Sequence, residues 1–487
     1  MSGLAASWAA MGSPVWITAA GALAILALDA LFGSTDRSGR GARRRGLLLM
    51  LISTAVLISA LSSIEVSGVW QSYGNMGAVG VVLVGMLAIP ALWMASTDLL
   101  ANRSETGLYG VLILLSLSGA FMALGSNQIG VTWLSLELMG LASVLLMGFD
   151  RRNPLGDEAT LKAFLEGSFS SALMLFGFGL LFGATGLLDY EGLQNAIQLE
   201  SPVDAAGLTL VLGGGLLKCG LAPFHQWAPD VDEGSSVAVM AFRSVVLRTT
   251  AMIVLLRLVT EVFPPDLGAL SWVFVALALA SSLIGSLMAT AQIEMKRMIS
   301  WGGVAHGGTL LLAFATNSES SYSAMLFYLL ATGVATIGAL CVLSTLKEGT
   351  REIGGIEDLS GLASRRPMPA IVLTLFLTSL AGLPLTAGFW AKWLLFRSVI
   401  GFESGWPALT ILVSSAVLIY AYLRWVAVLF MRSPRIAIRS EASSSELAIL
   451  ALCAGVTLWL GVMPDPVVGA AGERLLEYLR MATISPS

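Results

Sequence analysis

The segment Leu208-Thr-Leu-Val-Leu-Gly-Gly-Gly-Leu-Leu-Lys218-Cys-Gly-Leu-Ala-Pro223 has the apolar character of a membrane span, yet it contains a lysine. A charged side chain at the centre of a bilayer costs about 2.5–3.5 kcal/mol even on mild insertion scales, so such residues usually have a function. The glycines and Pro223 weaken the helix around Lys218. Broken backbone at membrane depth is tolerated only against protein or a water-filled cavity. The segment therefore predicts an internal polar path.

The composition of the whole chain predicts an integral membrane protein. Of its 487 residues, 56% are hydrophobic and only 12% are charged, whereas soluble domains carry about 25% charged residues. The three cysteines lie in apolar runs, and the two histidines are too few for a dedicated transition-metal centre. The net charge of −4 gives no indication of nucleic-acid binding. We therefore expect neither a metal nor a cofactor in this chain.

Apolar segments of about 20 residues, the length that crosses a bilayer, predict an all-α fold of about fourteen transmembrane helices. Basic residues gather in alternate connections, beginning with the cluster from Arg37 to Arg45. The positive-inside rule then places both termini on the side away from the cytoplasm, the periplasmic side if the protein is bacterial. The predicted spans are approximately 14–33, 46–66, 77–97, 107–124, 129–149, 164–187, 206–221, 237–260, 272–289, 299–315, 322–346, 370–399, 407–431 and 447–462.

Four ionisable residues lie deep in these spans: Glu137, Lys218, Arg248 and Lys392. A carboxylate and a lysine at similar depth can neutralise each other, and each can also change its protonation state. The pattern fits static ion pairs between helices, but it favours a proton relay, because intramembrane charges usually mark ion pathways. Arg248 cannot release its proton. It is either a fixed charge that tunes its neighbours or an anchor for a carboxylate.

The two histidines have different expected roles. His306 is either a relay group, since its pKa lies near physiological pH, or a neutral core residue. For His225, in the turn Phe224-His-Gln-Trp-Ala-Pro-Asp230, we expect a structural role. The carboxylates that follow it are predicted to form a solvated rim; they are Asp230, Asp232 and Glu233.

Glu166 lies just inside the sixth predicted span, one helical turn after Lys162. This i, i+4 spacing predicts a local salt bridge between the two side chains. Feeding protons from the cytoplasm is the alternative role for Glu166.

Two interrupted spans resemble each other. Gly220-Leu-Ala-Pro223 has Lys218 beside it, and Gly382-Leu-Pro384 is followed by Lys392. Paired interrupted spans in corresponding positions point to a transport site between structural repeats.

Several motifs together resemble the antiporter-like membrane subunits of respiratory complex I, and most of all subunit N of bacterial NADH:quinone oxidoreductase. The motifs are Leu134-Ser-Leu-Glu137-Leu, Phe149-Asp-Arg-Arg152, Glu158-Ala-Thr-Leu-Lys162, the block from Lys218 to Gly234, Lys296-Arg-Met-Ile-Ser300 through His306, and Ala381-Gly-Leu-Pro-Leu-Thr-Ala-Gly-Phe389 through Lys392. The resemblance implies two inverted five-helix repeats with broken seventh and twelfth helices. It divides the chain into residues 1–106, 107–262, 263–432 and 433–487.

The resemblance also implies a proton pathway. Glu137, Lys218 and Lys392 match the family's fifth-helix glutamate, seventh-helix lysine and twelfth-helix lysine, and His306 matches a histidine of the second repeat. Arg248 departs from the family, which usually has a lysine there. Glu166 and Arg243 stand where apolar residues are expected, and their opposite charges suggest a compensating pair.

The implied function is that of a proton-translocating membrane-arm subunit of a translocase in the bacterial inner membrane. Its partners would be other antiporter-like and small hydrophobic subunits within the lipid bilayer. NADH, flavin, iron–sulfur clusters and quinone would belong to partner subunits. Two alternatives stay open. One is a subunit of a multi-subunit cation/proton antiporter or a membrane-bound hydrogenase, and the other is a structural subunit that does not conduct.

Overall fold

The computed structural model describes most of the chain between its termini. The described residues are 13–32, 51–52, 55, 67–102, 106–149, 153–348, 351–402, 405–435, 439–440 and 442–464. Most of the predicted second span, the basic cluster from Arg37 to Arg45 and the motif residues Asp150 to Arg152 lie outside these ranges.

Helices make up most of the described structure. In the first half they are α1 (Ser13–Phe32), α2 (Ser67–Asn102), α3 (Thr106–Gly125), α4 (Ile129–Met147), α5 (Pro154–Thr185), α6 (Tyr190–Ala196), α7 (Pro202–Cys219), α8 (Trp227–Gly234), α9 (Val237–Ala241), a π-helical segment (Phe242–Leu247) and α10 (Arg248–Glu261). In the second half they are α11 (Leu270–Ala291), α12 (Met295–Thr316), α13 (Glu319–Thr345), α14 (Leu362–Arg365), α15 (Pro367–Ala381), α16 (Ala387–Val399), α17 (Pro407–Met431) and α18 (Ser444–Val462).

Within the described ranges, 11 helices are long and apolar enough to cross a membrane. Many of their outward side chains are large and apolar, such as Leu145 on α4 and Phe176 on α5. A helix that exposes such residues on its outer face suits a lipid or protein neighbour rather than water. The predicted all-α membrane fold is confirmed. The count of fourteen spans and the inverted repeats stay predictions.

The chain forms two compact units. Unit 1 comprises the described residues within 1–219 and 234–267, and unit 2 those within 220–233 and 268–487. The chain therefore enters unit 2 briefly, between α7 and α9, before it returns to unit 1.

The core of unit 1 depends on the close packing of α5 against α7. A Cβ atom on Gly177 would lie 2.7 Å from the carbonyl oxygen of Gly207, and one on Gly214 would lie 2.7 Å from the carbonyl oxygen of Ser170. The Ser170 hydroxyl donates a hydrogen bond of 2.8 Å to the carbonyl of Gly214. Later residues of α5 thus meet earlier residues of α7, so the two helices are antiparallel. Small residues allow this close approach.

Unit 2 contains a helix pair, α11 and α12, that also packs closely at glycines. A Cβ atom on Gly285 would lie 2.5 Å from the backbone nitrogen of Ala305, and one on Gly308 would lie 2.5 Å from Cβ of Ser281. These contacts again define an antiparallel helix pair whose backbones nearly touch.

Both predicted helix breaks are present. Helix α7 ends at Cys219, and Gly220 follows with a φ of +66°. Helix α15 ends at Ala381, and Gly382 follows with a φ of +83°. Glycine is favoured at both positions because side chains disfavour this left-handed conformation.

Two features were not predicted from the sequence. One is the π-helical segment before α10. The other is a small antiparallel sheet of order β2-β1-β3, formed by β1 (Leu346–Glu348), β2 (Arg351–Glu352) and β3 (Arg439–Ser440).

The packing of α5 against α7 predicts that valine substitutions at two nearby glycines will affect stability differently. Valine at Gly177 would collide with the backbone of α7, whereas no atom lies within 4 Å of a Cβ built on Gly179. We expect Gly177→Val to destabilise the protein by about 1–3 kcal/mol or more, as overpacking does, and Gly179→Val to leave its stability nearly unchanged. Thermal unfolding of the detergent-purified protein measures both. Equal melting temperatures for the two variants would contradict this packing.

Candidate functional site

Lys218 forms a buried ion pair with Glu137. Its Nζ lies 3.3 Å from Oε1 of Glu137, and the side chains of the lysine and the glutamate are 9% and 21% exposed. The same Nζ donates a hydrogen bond of 3.1 Å to the hydroxyl of Ser171 on α5. Three helices of unit 1, namely α4, α5 and α7, thus meet around one ammonium group.

The sequence positions this pair in two ways. On α4, the indole Nε1 of Trp133 donates to the carbonyl of Ser171 at 3.1 Å, and Glu137 follows one turn later on the same face. On α7, Lys218 occupies the last turn before the break at Gly220. The carbonyl end of a helix favours a positive charge.

Arg243 and Arg248 lie at the two ends of the π-helical turn. The backbone N–H of Arg248 bonds to the carbonyl of Arg243, five residues earlier. In this wider turn, residues five apart stand roughly one above the other, as residues four apart do in an α-helix. The side chain of Arg243 is buried, with 7% exposed.

Glu166 belongs to the same group of charges. The positive charges of Lys218 and Arg243 act on its carboxylate. The charges of Arg248, Glu166 and Lys218 also act together on the neighbouring thiol of Cys219. Unit 1 therefore gathers five predicted site residues in one region: Glu137, Glu166, Lys218, Arg243 and Arg248.

Unit 2 places His306 between two tyrosines. The Nδ1 atom of His306 lies 2.9 Å from the hydroxyl of Tyr328, and its Nε2 atom lies 3.4 Å from the hydroxyl of Tyr422. The histidine is buried, and Tyr422 fits close beside Gly302, where a larger residue would collide with its hydroxyl. Both ring nitrogens thus face groups that can exchange protons.

Lys392 extends from α16 to the broken end of α15. Its Nζ donates a hydrogen bond of 2.7 Å to the carbonyl of Ala381, the last residue of α15. A Cβ atom on Gly382 would lie 2.7 Å from Cδ of this lysine. The left-handed glycine therefore makes room for the side chain, and the helix end attracts its charge.

The predicted solvated rim after His225 is wrong in part. Asp232 is fully buried and accepts a hydrogen bond of 2.5 Å from the hydroxyl of Ser300. Asp230 and Glu233 both pair with Arg297, at 2.8 and 2.6 Å. His225 is buried, and its ring makes an edge contact with Trp301, in line with a structural role. The acidic motif anchors α8 to α12 because Arg297 and Ser300 face it.

The predicted salt bridge between Lys162 and Glu166 is also wrong. Lys162 pairs with Glu158 at 2.6 Å on the exposed side of α5. Glu158 and Glu166 each lie four residues from Lys162, so the spacing does not indicate which of them pairs with it. Glu166 instead lies among the buried charged residues near Lys218.

Sequence reasoning missed the network of Arg257. This arginine is 1% exposed and forms a salt bridge of 2.7 Å with Glu261. It also donates to the carbonyls of Leu124 and Ser126, at 2.6 and 2.7 Å, and to the side chain of Asn127 at 2.6 Å. In the structure it fixes the loop between α3 and α4 to α10.

A family model described as NADH:quinone oxidoreductase/Mrp antiporter, transmembrane, matches residues 126–419. The chain belongs to this family. The matched range includes Glu137, Lys218, Arg248, His306 and Lys392.

The curated relatives of this chain include subunit N of several bacteria. NADH-quinone oxidoreductase subunit N of Paramagnetospirillum magneticum is 33% identical over 440 residues, which cover 87% of this chain and 89% of the relative. Subunit N of Geobacillus kaustophilus is also 33% identical, over 97% of both chains.

Solved structures with the same fold include chains of two multi-subunit complexes. A chain of respiratory complex I from Thermus thermophilus superimposes with a TM-score of 0.78 and 28% identity, covering 94% of this chain and 98% of that one. A chain of the Mrp complex from Dietzia has a TM-score of 0.82 at 20% identity, covering 96% of this chain and 97% of that one. The latter match shows a shared fold. The roles of individual residues stay predictions.

Buried and exposed cations of unit 1 should differ in their contribution to stability. Arg257→Met would leave Glu261 and two carbonyls without their partner, so we expect a loss of about 3–5 kcal/mol, typical of a broken buried pair. Lys162→Met removes an exposed pair and should cost about 0–1 kcal/mol. Denaturant unfolding of the purified chain in detergent measures both. A similar loss in the two variants would contradict the role of Arg257.

Proposed function

We propose that this chain is a proton-translocating membrane-arm subunit of a bacterial NADH:quinone oxidoreductase. The observation that carries the proposal is the buried ion pair of Lys218 and Glu137 at the break of α7. The shared name of its curated relatives supports the identity of the enzyme. Quinone reduction in partner subunits would supply the energy, and this chain would hold no redox centre.

Lys218 would be the group that binds and releases the proton. A buried lysine retains its proton readily while a carboxylate faces it, and loses it more easily when that charge is removed or neutralised. Glu137 is the carboxylate in contact with Lys218. A charge change transmitted from the partner subunits to Glu137 would therefore alter the proton affinity of Lys218.

Arg248 would act as a fixed positive charge. Because a guanidinium does not deprotonate in proteins, it cannot pass a proton on. Its charge acts on the thiol of Cys219, the residue that follows Lys218 on α7. A constant positive charge there would favour release of the proton from Lys218.

His306 and Lys392 would form the stations of unit 2. His306 has two tyrosine hydroxyls beside its ring nitrogens, which suits proton exchange. Lys392 would release the proton to the outer side of the bacterial inner membrane. Both chain termini would face that side, and the two inverted repeats would provide one lysine each. Other membrane subunits of the complex would flank the chain.

The proposal predicts that Lys218→Ala and Glu137→Ala each depress NADH-driven proton pumping, because one removes the proton carrier and the other its counter-ion. The assay is proton uptake by inverted membrane vesicles, normalised to NADH oxidation and to the amount of assembled complex. Lys162→Ala is the matched control, since it removes an exposed lysine. Pumping at the wild-type ratio in both site variants, with assembly intact, would overturn the relay.

The proteins that copurify with the chain distinguish the two enzyme classes. Flavin and iron–sulfur subunits in the purified complex would support NADH:quinone oxidoreductase. A complex of small hydrophobic subunits without flavin would instead support the cation/proton antiporter.

A conservative change at Arg248 tests the fixed charge. Arg248→Lys keeps the positive charge but introduces a group that can titrate. We expect the ratio of protons pumped to electrons transferred to stay unchanged or to fall, because a fixed charge is replaced by one that can be lost. The same vesicle assay measures the ratio. A gain would show that arginine had impaired a channel, in favour of the non-conducting alternative.

A further inference from the structure

Residues Gly220–Glu233 form a crossing segment that lies along one face of α12 in unit 2. At its start, Leu221 packs against Gly307, where a Cβ atom would lie 2.6 Å from Cδ2 of the leucine. At its end, the hydroxyl of Ser300 donates a hydrogen bond of 2.5 Å to Asp232. Ser300 and Gly307 are seven residues apart and therefore share one face of α12. The crossing segment thus runs antiparallel to that helix.

The polar contacts of the crossing segment differ in burial. Arg297 of α12 pairs with Asp230 and Glu233, but all three side chains are about one third exposed, and exposed ion pairs contribute little. Asp232 is fully buried, and a buried polar group that loses its hydrogen bond is costly. The bond between Asp232 and Ser300 is therefore the stronger constraint on how α12 lies against the segment.

His306 immediately precedes Gly307 on α12, and its contacts tolerate little movement of the helix. Its Nδ1 atom lies 2.9 Å from the hydroxyl of Tyr328 on α13, and its Nε2 atom lies 3.4 Å from that of Tyr422 on α17. The second distance is near the outer limit of a hydrogen bond. A shift of α12 by a fraction of an ångström would therefore separate the histidine from Tyr422.

Asp232 acts on His306 through the helix rather than by direct proton transfer. Ser300 and His306 are six residues apart, which is about 9 Å along the helix axis and about 120° around it. The face with Ser300 meets the crossing segment, whereas the ring of His306 faces α13 and α17.

We infer that Asp232 is a positioning residue of the His306 site: its hydrogen bond from Ser300 fixes α12 against the crossing segment and so holds His306 beside both tyrosines. This inference rests on the proposed function, in which His306 is a station of the proton pathway. The bond needs only an acceptor oxygen, which a carboxylate, a neutral carboxyl group and an amide all provide. The role of Asp232 therefore does not depend on its charge.

The test compares variants in the assembled complex. Asp232→Asn keeps an acceptor oxygen and removes the charge, Asp232→Leu removes the acceptor at similar size, and Ser300→Ala removes the donor. His306→Ala gives the ratio expected when the station is lost. Glu357→Leu is the matched control, since it removes an exposed carboxylate of unit 2 that pairs with an arginine. The measurement is the proton-to-NADH ratio in inverted vesicles, normalised to the amount of assembled complex.

Ser300→Ala and Asp232→Leu should both lower the ratio toward that of His306→Ala. Asp232→Asn and Glu357→Leu should stay near the wild-type ratio. The double variant of Asp232→Leu and Ser300→Ala should lose no more than the larger single loss, because both changes remove the same bond. Ser300→Ala is the smallest change and decides the test if Asp232→Leu does not assemble.

The inference is overturned if Asp232→Asn loses as much as Asp232→Leu, since the charge of Asp232 would then matter, or if Ser300→Ala pumps at the wild-type ratio. A wild-type ratio in His306→Ala would also overturn it, because no station would need to be positioned. Failure of the proposed function is measured separately, by wild-type pumping in Lys218→Ala and Glu137→Ala.

Discussion

A charge inside an apolar helix bundle must be matched, and this constraint governs the site around Lys218. Two unit charges 3.3 Å apart, the separation of Lys218 and Glu137, attract each other by about 5 kcal/mol at an effective dielectric constant of about 20. Removing each ion from water costs several kcal/mol. Attraction and desolvation are thus of similar size. A modest change in a neighbouring charge can therefore strengthen or weaken this ion pair.

The scaffold fixes these charges by close helix packing and by interrupted helices. Glycines on α5 and α7 bring the two backbones into contact. The two helices therefore have little freedom to slide along each other, and this fixes the position of Ser171 relative to Lys218. Both central lysines lie at the carbonyl ends of interrupted helices: Lys218 in the last turn of α7, and Lys392 hydrogen-bonded to the end of α15. Each helix end adds a fixed partial negative charge that needs no titratable residue.

Much of this arrangement could be predicted from the sequence because intramembrane charges and helix-breaking glycines are conspicuous in apolar segments. The pairing of Lys218 with Glu137 and both helix breaks are examples. Ser171 was missed because a serine in an apolar helix usually satisfies itself on its own backbone. Asp232 was expected to be solvated because its position follows a turn, and its partner Ser300 lies 68 residues away in the sequence. Contacts over such separations depend on tertiary packing, which residue spacing does not reveal.

The π-helical turn has no signal in the sequence, and it changes which neighbours the two arginines face. In an uninterrupted α-helix, residues five apart point about 140° away from each other, so Arg243 and Arg248 would face different neighbours. The wider turn brings them to one side, where one acts on Glu166 and the other on the residue after Lys218. Two guanidinium groups on one side cannot relieve their repulsion by losing a proton. The antiparallel register of α5 and α7 places Glu166 opposite Lys218, within reach of the charge of Arg243.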